Sequence, residues 1–304
     1  MNVRAAALET RNTVSTGTPD PVSTRPIIDR LFPDSMAGRM GAQLISIDSG
    51  SAEWPVVTSS VAAGWAAAEG GNVPLGAAYE TTNRPLKPDH NLGVQMRITR
   101  KTLQQSGAAI EAAIRRDTQG AMGQAMDQAT FLGTGADGQP LGVITGAATY
   151  GITVDPIDAL ASWGAFRSGV TAFMVANAIS GAGDVRALIR PELWDYLDGQ
   201  QAFSGDSMTE WDRLTRHIPS TFTTSNALAA PAGAELASTS LLTTSTGGVA
   251  PIYVGAWGAI DIIRDPYTDA QAGGLRITAL GTMDITVARP VQLRVLTGLE
   301  TAVV

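Results

Sequence analysis

Apolar residues recur at helical spacing between Ser106 and Leu132. Ile110, Ile114, Ala121, Met122, Ala125, Met126, Ala129 and Leu132 fall three and four positions apart, one stripe of an amphipathic helix. Ser106 is the expected N-cap, because its hydroxyl can accept from a free N–H of the first turn. Gly133 is the expected C′ residue, where a left-handed backbone suits glycine best. Such a helix is roughly 35 Å long, enough to span a domain. Gly120 and Gly123 inside it cost about 1 kcal/mol each relative to alanine. Close approach of another backbone is the expected compensation.

Upstream, Leu44–Ile47, Glu53–Val57 and Val94–Ile98 read as strands. The last two are separated by some thirty-odd residues with little apolar periodicity. Loops beyond about 15 residues are uncommon in compact domains unless they are functional or disordered. A long β-hairpin projecting from the body fits this pattern. Its exposed edges would be a liability unless a neighbouring subunit covered them. Further upstream the chain is polar and broken by proline, with one apolar knot at Ile27-Ile28-Asp29-Arg30-Leu31-Phe32. An arm with so little core of its own is expected to lie on something else.

Downstream, Leu160, Trp163, Phe166, Val170 and Phe173 predict a helix over Asp158–Met174. Val185–Ile189 reads as a strand, and Pro191 opens a short helix through Leu197. Ser220–Gly248 is rich in Ser, Thr, Ala and Gly and reads as loop-heavy. Ile252–Val254 and Ala259–Ile263 read as strands. The clearest alternation is C-terminal: Leu275–Leu280, then Asp284–Pro290, then Val291–Val295. Ile285 and Val287 share one face, and Val291, Leu293 and Val295 share another. Trp163, Trp194, Trp211 and Trp257 sit in apolar patterns and are expected in the core. No internal repeat is present.

The 304 residues allow one large or two modest domains. Hydrophobic residues make up 44% and charged residues only 16%, where about a quarter is usual. A sparsely charged surface fits burial against partners, and it also fits an ordinary low-charge bacterial protein. A net charge of −7 argues against a protein that grips nucleic acid over its whole surface. It does not argue against a container whose wall must not stick to its contents. There is no cysteine, so disulfides and thiolate metal sites are excluded. Ala5–Leu8 is too short for a secretory apolar region, and uncharged runs such as Leu236–Ile260 are too rich in Ser, Thr and Gly to span a membrane.

Gly133-Thr134-Gly135-Ala136-Asp137-Gly138 spells G-x-G-x-x-G, with Asp155 and Asp158 at the distance of a ribose-binding acid. In a dinucleotide site that motif follows a strand and opens a helix. Here it closes one. A Walker loop is excluded more firmly, because the only lysines are Lys87 and Lys101 and neither follows a glycine loop. The only histidines are His90 and His217, and no Asp/Glu cluster has calcium-loop spacing. A lone histidine is more often a surface or satisfied core residue than a catalytic base. No catalytic, cofactor-binding or metal-ligating residue is therefore assigned, and no cofactor is expected.

Several stretches, in order, resemble one known family. Trp65-x-x-x-Glu69 lies in the hairpin. Phe131-Leu-Gly-Thr-Gly-x-x-Gly-Gln-Pro-Leu-Gly-Val-Ile144 closes the long helix. Gly255-Ala-Trp-Gly-Ala-Ile-Asp-Ile-Ile-Arg-Asp-Pro-Tyr267 and Ala288-Arg289-Pro290 follow near the end. From about Thr24 to Leu296 the chain is similar to the Hong Kong 97-type major capsid proteins of tailed bacteriophages and gene transfer agents.

The resemblance implies an α+β, Hong Kong 97-like capsid fold. Residues 1–50 would be an N-terminal arm and 51–97 the extended loop (E-loop). Residues 98–147 and 266–304 would form a peripheral domain with the spine helix, and 148–265 an axial domain. It implies a homo-oligomer of hexamers and pentamers, closing into an icosahedral shell around double-stranded DNA held without sequence-specific binding. Portal, scaffolding and decoration proteins would be partners, and a membrane would not. The expected location is a virion or phage-like particle assembled in the bacterial cytoplasm. Inter-subunit contact candidates are Trp54, Trp65, Glu69, Arg84, Lys87, Arg115 and Arg116. Deleting Ser60–Asn83 is expected to leave a folded subunit that forms no shells.

Two departures from the family pattern stand out. Some members crosslink an E-loop lysine to a C-terminal asparagine, but Lys87 lies at the hairpin's return and the last asparagine is Asn226. No covalent crosslink is expected. Members often carry an N-terminal scaffolding segment, whereas only 25 residues precede Pro26 here. A mature form, or a separate scaffolding protein, is the expectation. The alternatives are an encapsulin-type compartment, disfavoured by the proline-rich arm, and remotely a dinucleotide-dependent enzyme.

Overall fold

The structure is a computed structural model, and it describes residues 35–57, 66, 81–203, 205 and 207–301. A one-turn helix α1 (Met36–Arg39) leads into strands β1 (Gln43–Ile47), β2 (Ala52–Val57), β3 (Thr81–Leu86) and β4 (His90–Thr99). The long helix α2 (Arg100–Leu132) follows, then a short helix α3 (Ala147–Tyr150), strand β5 (Thr153–Leu160) and helix α4 (Trp163–Val175). Strand β6 (Val185–Ile189), helices α5 (Pro191–Gly199) and α6 (Glu210–His217) and strands β7 (Ser220–Thr223) and β8 (Ser238–Thr244) complete the middle. The chain ends in β9 (Ile252–Asp265), β10 (Gly274–Val287) and β11 (Leu293–Glu300).

These strands form two main sheets and one two-stranded ribbon. The first sheet has the order β1-β9-β10-β4 and the second β5-β11-β8-β6-β7, while β2 and β3 pair only with each other. The C-terminal alternation therefore does not build one hairpin. β10 pairs with β4 and β9 in the first sheet, and β11 crosses to the second, between parallel β5 and antiparallel β8. The crossover is Ala288–Gln292. Val291 is 59% exposed there, against the expected face, because Pro290–Gln292 form a turn of tight helix before β11 begins. β9 and β10 are each continuous over 14 residues, where shorter pieces were expected. A register shift between Leu280 and Thr282, opposite Asp261 and Trp257, absorbs two extra residues of β9 and lets both halves pair.

The second sheet is buried on both faces. Leu188, Leu241, Leu293 and Val295 face a core shared with α1, the end of α2 and the first sheet. Ala187, Ile189, Leu242, Leu296 and Leu299 face a second core against α4, α5 and α6. Adjacent residues pointing into opposite cores is the period-two geometry of a strand. It also accounts for β8 inside Ser220–Gly248, a stretch that is otherwise loop-heavy as expected, with β7 and β8 as its strands. β8 reads Ser-Thr-Ser-Leu-Leu-Thr-Thr, and two of its buried hydroxyls reach carbonyls far away in sequence: Ser240 donates to Leu188 at 2.9 Å and Thr243 to Met40 at 2.8 Å, while the buried Ser238 hydroxyl has no partner among the described residues.

β5 runs through Asp158–Leu160, which were expected in helix α4. Leu160 pairs with Glu300, so α4 starts only at Trp163. Of the four tryptophans expected in the core, Trp163 is buried. Trp194 is 39% exposed and meets Trp211 edge-on at 6.4 Å, and Trp257 is half-buried and donates to the Gly50 carbonyl at 2.7 Å. An indole's polar N–H favours this partly wet position.

α2 begins at Arg100, directly from β4, and not at Ser106. Arg100, Lys101, Leu103, Gln104 and Gln105 are good helix formers, so the helix extends past the serine. Its 33 residues make it about 50 Å long. Gly123 is exposed, and no backbone among the described residues approaches it. Asp127 is 6% exposed and carries a role the apolar stripe hides. Its carboxylate accepts from the Met36 and Ala37 amides at 2.8 and 3.2 Å and from the Ser35 hydroxyl at 3.0 Å. This pins α1 across α2. Asp127→Ala strands buried donors and is expected to cost about 2–4 kcal/mol, read as a lowered urea midpoint with the slope unchanged.

Candidate assembly surfaces

The hairpin's stem is the β2–β3 ribbon: Glu53–Val57 return through Thr81–Leu86 and not through the expected Val94–Ile98, which lie in β4 against β10. The ribbon's register runs from Ala52 opposite Leu86 to Val57 opposite Thr81, and Asn83 donates to Glu53 at 3.2 Å. An isolated two-stranded ribbon is marginal in water. The root is well held. Leu86 is fully buried, and the Lys87 amide donates to the Asp284 carboxylate at 2.8 Å. Beyond the root, both edges of the stem lack a further strand among the described residues.

The candidate contact residues fall on three places. Trp54 and Arg84 are cross-strand partners in the stem, and Lys87 sits exposed at its root. Arg115 and Arg116 lie exposed midway along α2, a different element. Trp65 and Glu69 lie outside the described residues, as does the arm before Ser35. A further surface was not read from the sequence. Ile260, Ile262, Ile263 and Leu280, on the outer halves of β9 and β10, are 36–51% exposed. Beyond them Tyr267 is 84% exposed on a turn whose Tyr267 and Thr268 amides donate to Asp265. Those bonds, with the Thr268 hydroxyl first, hold the Asp265 carboxyl below its usual range. At the base of this turn Asp269 pairs with Arg276 at 3.1 Å and with Arg97 at 3.5 Å. An apolar ribbon ending in a pre-organised aromatic residue is built for contact.

The glycine turn has a different job from a phosphate loop. It doubles back on the end of α2. The Gly142 amide donates to the Gly133 carbonyl, Val143 to Thr130 and Ile144 to Phe131, each at 2.9 Å. Of the motif's own N–H groups, Gly133 donates to the Ala129 carbonyl at 3.0 Å and Gly135 to the Pro140 carbonyl at 3.3 Å, so they are used within the turn, at the negative end of the helix dipole. The adjoining cavity, about 240 Å³, is lined by His90 and Asp137 and has no Lys or Arg. A dinucleotide phosphate has no partner there. Tyr150 fixes the turn to β10 by donating to the carbonyls of Leu141 at 2.8 Å and Ile285 at 3.4 Å. Burial first, then the nearby Asp284 charge, pushes its hydroxyl up to about 12.

The two histidines are held structurally. His90 Nδ1 lies 3.2 Å from the Gly138 carbonyl and Nε2 lies 3.7 Å from Asp284, and His217 stacks on Trp163 at 4.7 Å. Among the described residues no three His, Asp or Glu side chains gather to hold a metal ion. No helix among them is long and apolar enough to cross a membrane.

Residues 20–198 match the model of the Phage capsid family. The chain belongs to the phage capsid family. As a member of that family it is a structural capsid protein and not an enzyme. Solved structures carry the same mixed α/β fold at low identity. The capsid of a native GTA particle is similar with a TM-score of 0.66 and 15% identity, over 92% of this capsid protein and 95% of that chain. Mycobacterium phage Cain gives 0.65 and 16%, over 94% and 97%. Microbacterium phage Oxtober96 gives 0.68 and 14%, over 94% and 97%. No curated protein matches in sequence.

Proposed function

We propose that this capsid protein closes, through hexamers and pentamers, into an icosahedral shell around double-stranded DNA. The observation that carries this reading is the β2–β3 ribbon, a stem with no third strand to complete it among the described residues. Residues 51–97 then act as the extended loop laid on a neighbour. Residues 98–147 and 266–304 make the peripheral domain, 148–265 the axial domain, and 1–50 the arm. Many modest interfaces of about 1,000–2,000 Å² add up to a stable particle. Portal, scaffolding and decoration proteins complete the head, which assembles in the bacterial cytoplasm. DNA is enclosed by a net-acidic wall that grips no sequence.

Negative-stain electron microscopy of the purified protein, with light scattering on the same sample, tests this. Closed shells, or rings of five and six, are expected. A monodisperse monomer or dimer across salt and pH would overturn the reading, and particles holding folded enzyme cargo without DNA would move it to an encapsulin. The shells are also expected to lack covalent crosslinks. Boiled in denaturant, they should give one subunit band, and a ladder would refute that.

A further inference from the structure

One side chain at the hairpin root faces two acceptors at once. His90 opens β4 just after the turn that ends the stem, and its ring is about a quarter exposed. Nδ1 lies 3.2 Å from the Gly138 carbonyl on the glycine turn, and Nε2 lies 3.7 Å from the Asp284 carboxylate on β10. The same carboxylate accepts from the Lys87 amide at 2.8 Å. Asp284 is therefore shared by two residues of the root, and the root is joined to both β10 and the end of α2.

A neutral imidazole carries one N–H. If Nδ1 holds it, the Nε2 lone pair faces a carboxylate. If Nε2 holds it, the Nδ1 lone pair faces a carbonyl oxygen. Only the protonated ring presents a donor to both, so the arrangement is complementary to the imidazolium. The other charges around the ring come from three elements. Asp137 on the glycine turn lines the same cavity, Lys87 and Asp89 are exposed in the root turn, and Arg84 on β3 acts with Asp284 on the Tyr150 hydroxyl. From α2 the cavity receives Gln128 and apolar side chains but no charge.

We propose that His90 is a proton-operated latch on the hairpin root: charged, it ties the root to the glycine turn and to β10 together, and neutral, it gives up one of the two. Histidine is the side chain whose ordinary charge change falls between about pH 5 and pH 8. By linkage, a contact that prefers the protonated ring is favoured at low pH and lost as pH rises through that range. A released root lets the stem meet a neighbouring subunit at a wider range of angles. That use of the latch rests on the shell-forming reading.

Amide hydrogen exchange of the full-length chain, with each rate corrected to its intrinsic value, tests the latch. Protection of the Lys87 amide should fall about threefold between about pH 5.5 and pH 8, the scale of a part-exposed ion pair. The chain has only two histidines, so substitution assigns the effect. His217→Gln should keep the pH dependence and His90→Gln should abolish it. Protection that is flat in the wild type, or that still changes threefold in His90→Gln, overturns the latch. If His90→Gln does not fold, Asp284→Asn decides. It keeps an oxygen for the Lys87 amide and removes the charge opposite Nε2, so the profile should flatten, and an unchanged profile overturns the latch. Wild-type protein that forms no shells sinks the shell-forming reading and leaves this readout standing, whereas a flat profile in protein that does form shells sinks the latch alone.

Discussion

Replacing residues 58–80 with an Asn-Gly turn will give a subunit that folds with unchanged stability and forms no closed shells. The cut leaves β2 and β3 whole, because Val57 faces Thr81 at the end of the paired stem. The deletion of Ser60–Asn83 expected from sequence would remove half of β3, so the boundary moves. A two-residue type I′ turn matches the twist of the strands it joins. The described residues of both hydrophobic cores lie on elements that the replacement leaves in place, so the urea midpoint should stay where it is. Shell yield, counted in electron micrographs, should fall below detection, because each copy loses a contact to a neighbour and the shell multiplies that loss over every subunit. Normal shells from this variant would show that the loop is dispensable.

What the sequence disclosed follows from which residues report their surroundings. α2 and the closing turn were legible because helical spacing and glycine chemistry are local signals. The start of α2 was not, because Ser106 is a good cap that the strong helix formers from Arg100 onward override. β8 was hidden for a tertiary reason. Its seven residues include five serines and threonines, and the carbonyls of Leu188 and Met40, remote in sequence, take the core hydroxyls of Ser240 and Thr243. The C-terminal strands were visible as strands but not as members of two different sheets, since alternation names a face and not a partner.

The candidate surface divides in the same way. The hairpin was foreseeable from a long aperiodic stretch between two strands. The Asp127 lock, the exposed apolar ribbon of β9 and β10, and the His90 contacts at the hairpin root depend on residues far apart in sequence. His90 is a lone histidine in a string of letters. It becomes informative only when both of its ring nitrogens face acceptors.

Gly133→Ala and Gly142→Ala should each destabilise the subunit by about 3 kcal/mol or more, the upper end of overpacking costs. Neither glycine has a positive φ, so the restriction is space. A Cβ on Gly133 would lie 2.6 Å from the Ala129 carbonyl oxygen and closer still to that of Pro140. On Gly142 it would lie 2.7 Å from the Phe131 carbonyl carbon and oxygen. These are backbone atoms of the turn and the helix end, and they can yield only by breaking the bonds from Gly142, Val143 and Ile144 that close α2. Gly138→Ala is the contrast. Its φ of +76° strains any side chain, but nothing stands within 4 Å, so about 1–2 kcal/mol is expected. Urea unfolding of the three variants separates the accounts. A phosphate-cradling loop would need close ligand approach at all its glycines and would leave apo stability nearly indifferent to which one is changed. A helix-closing turn makes Gly133 and Gly142 costly and Gly138 mild, and equal midpoints for all three would refute it.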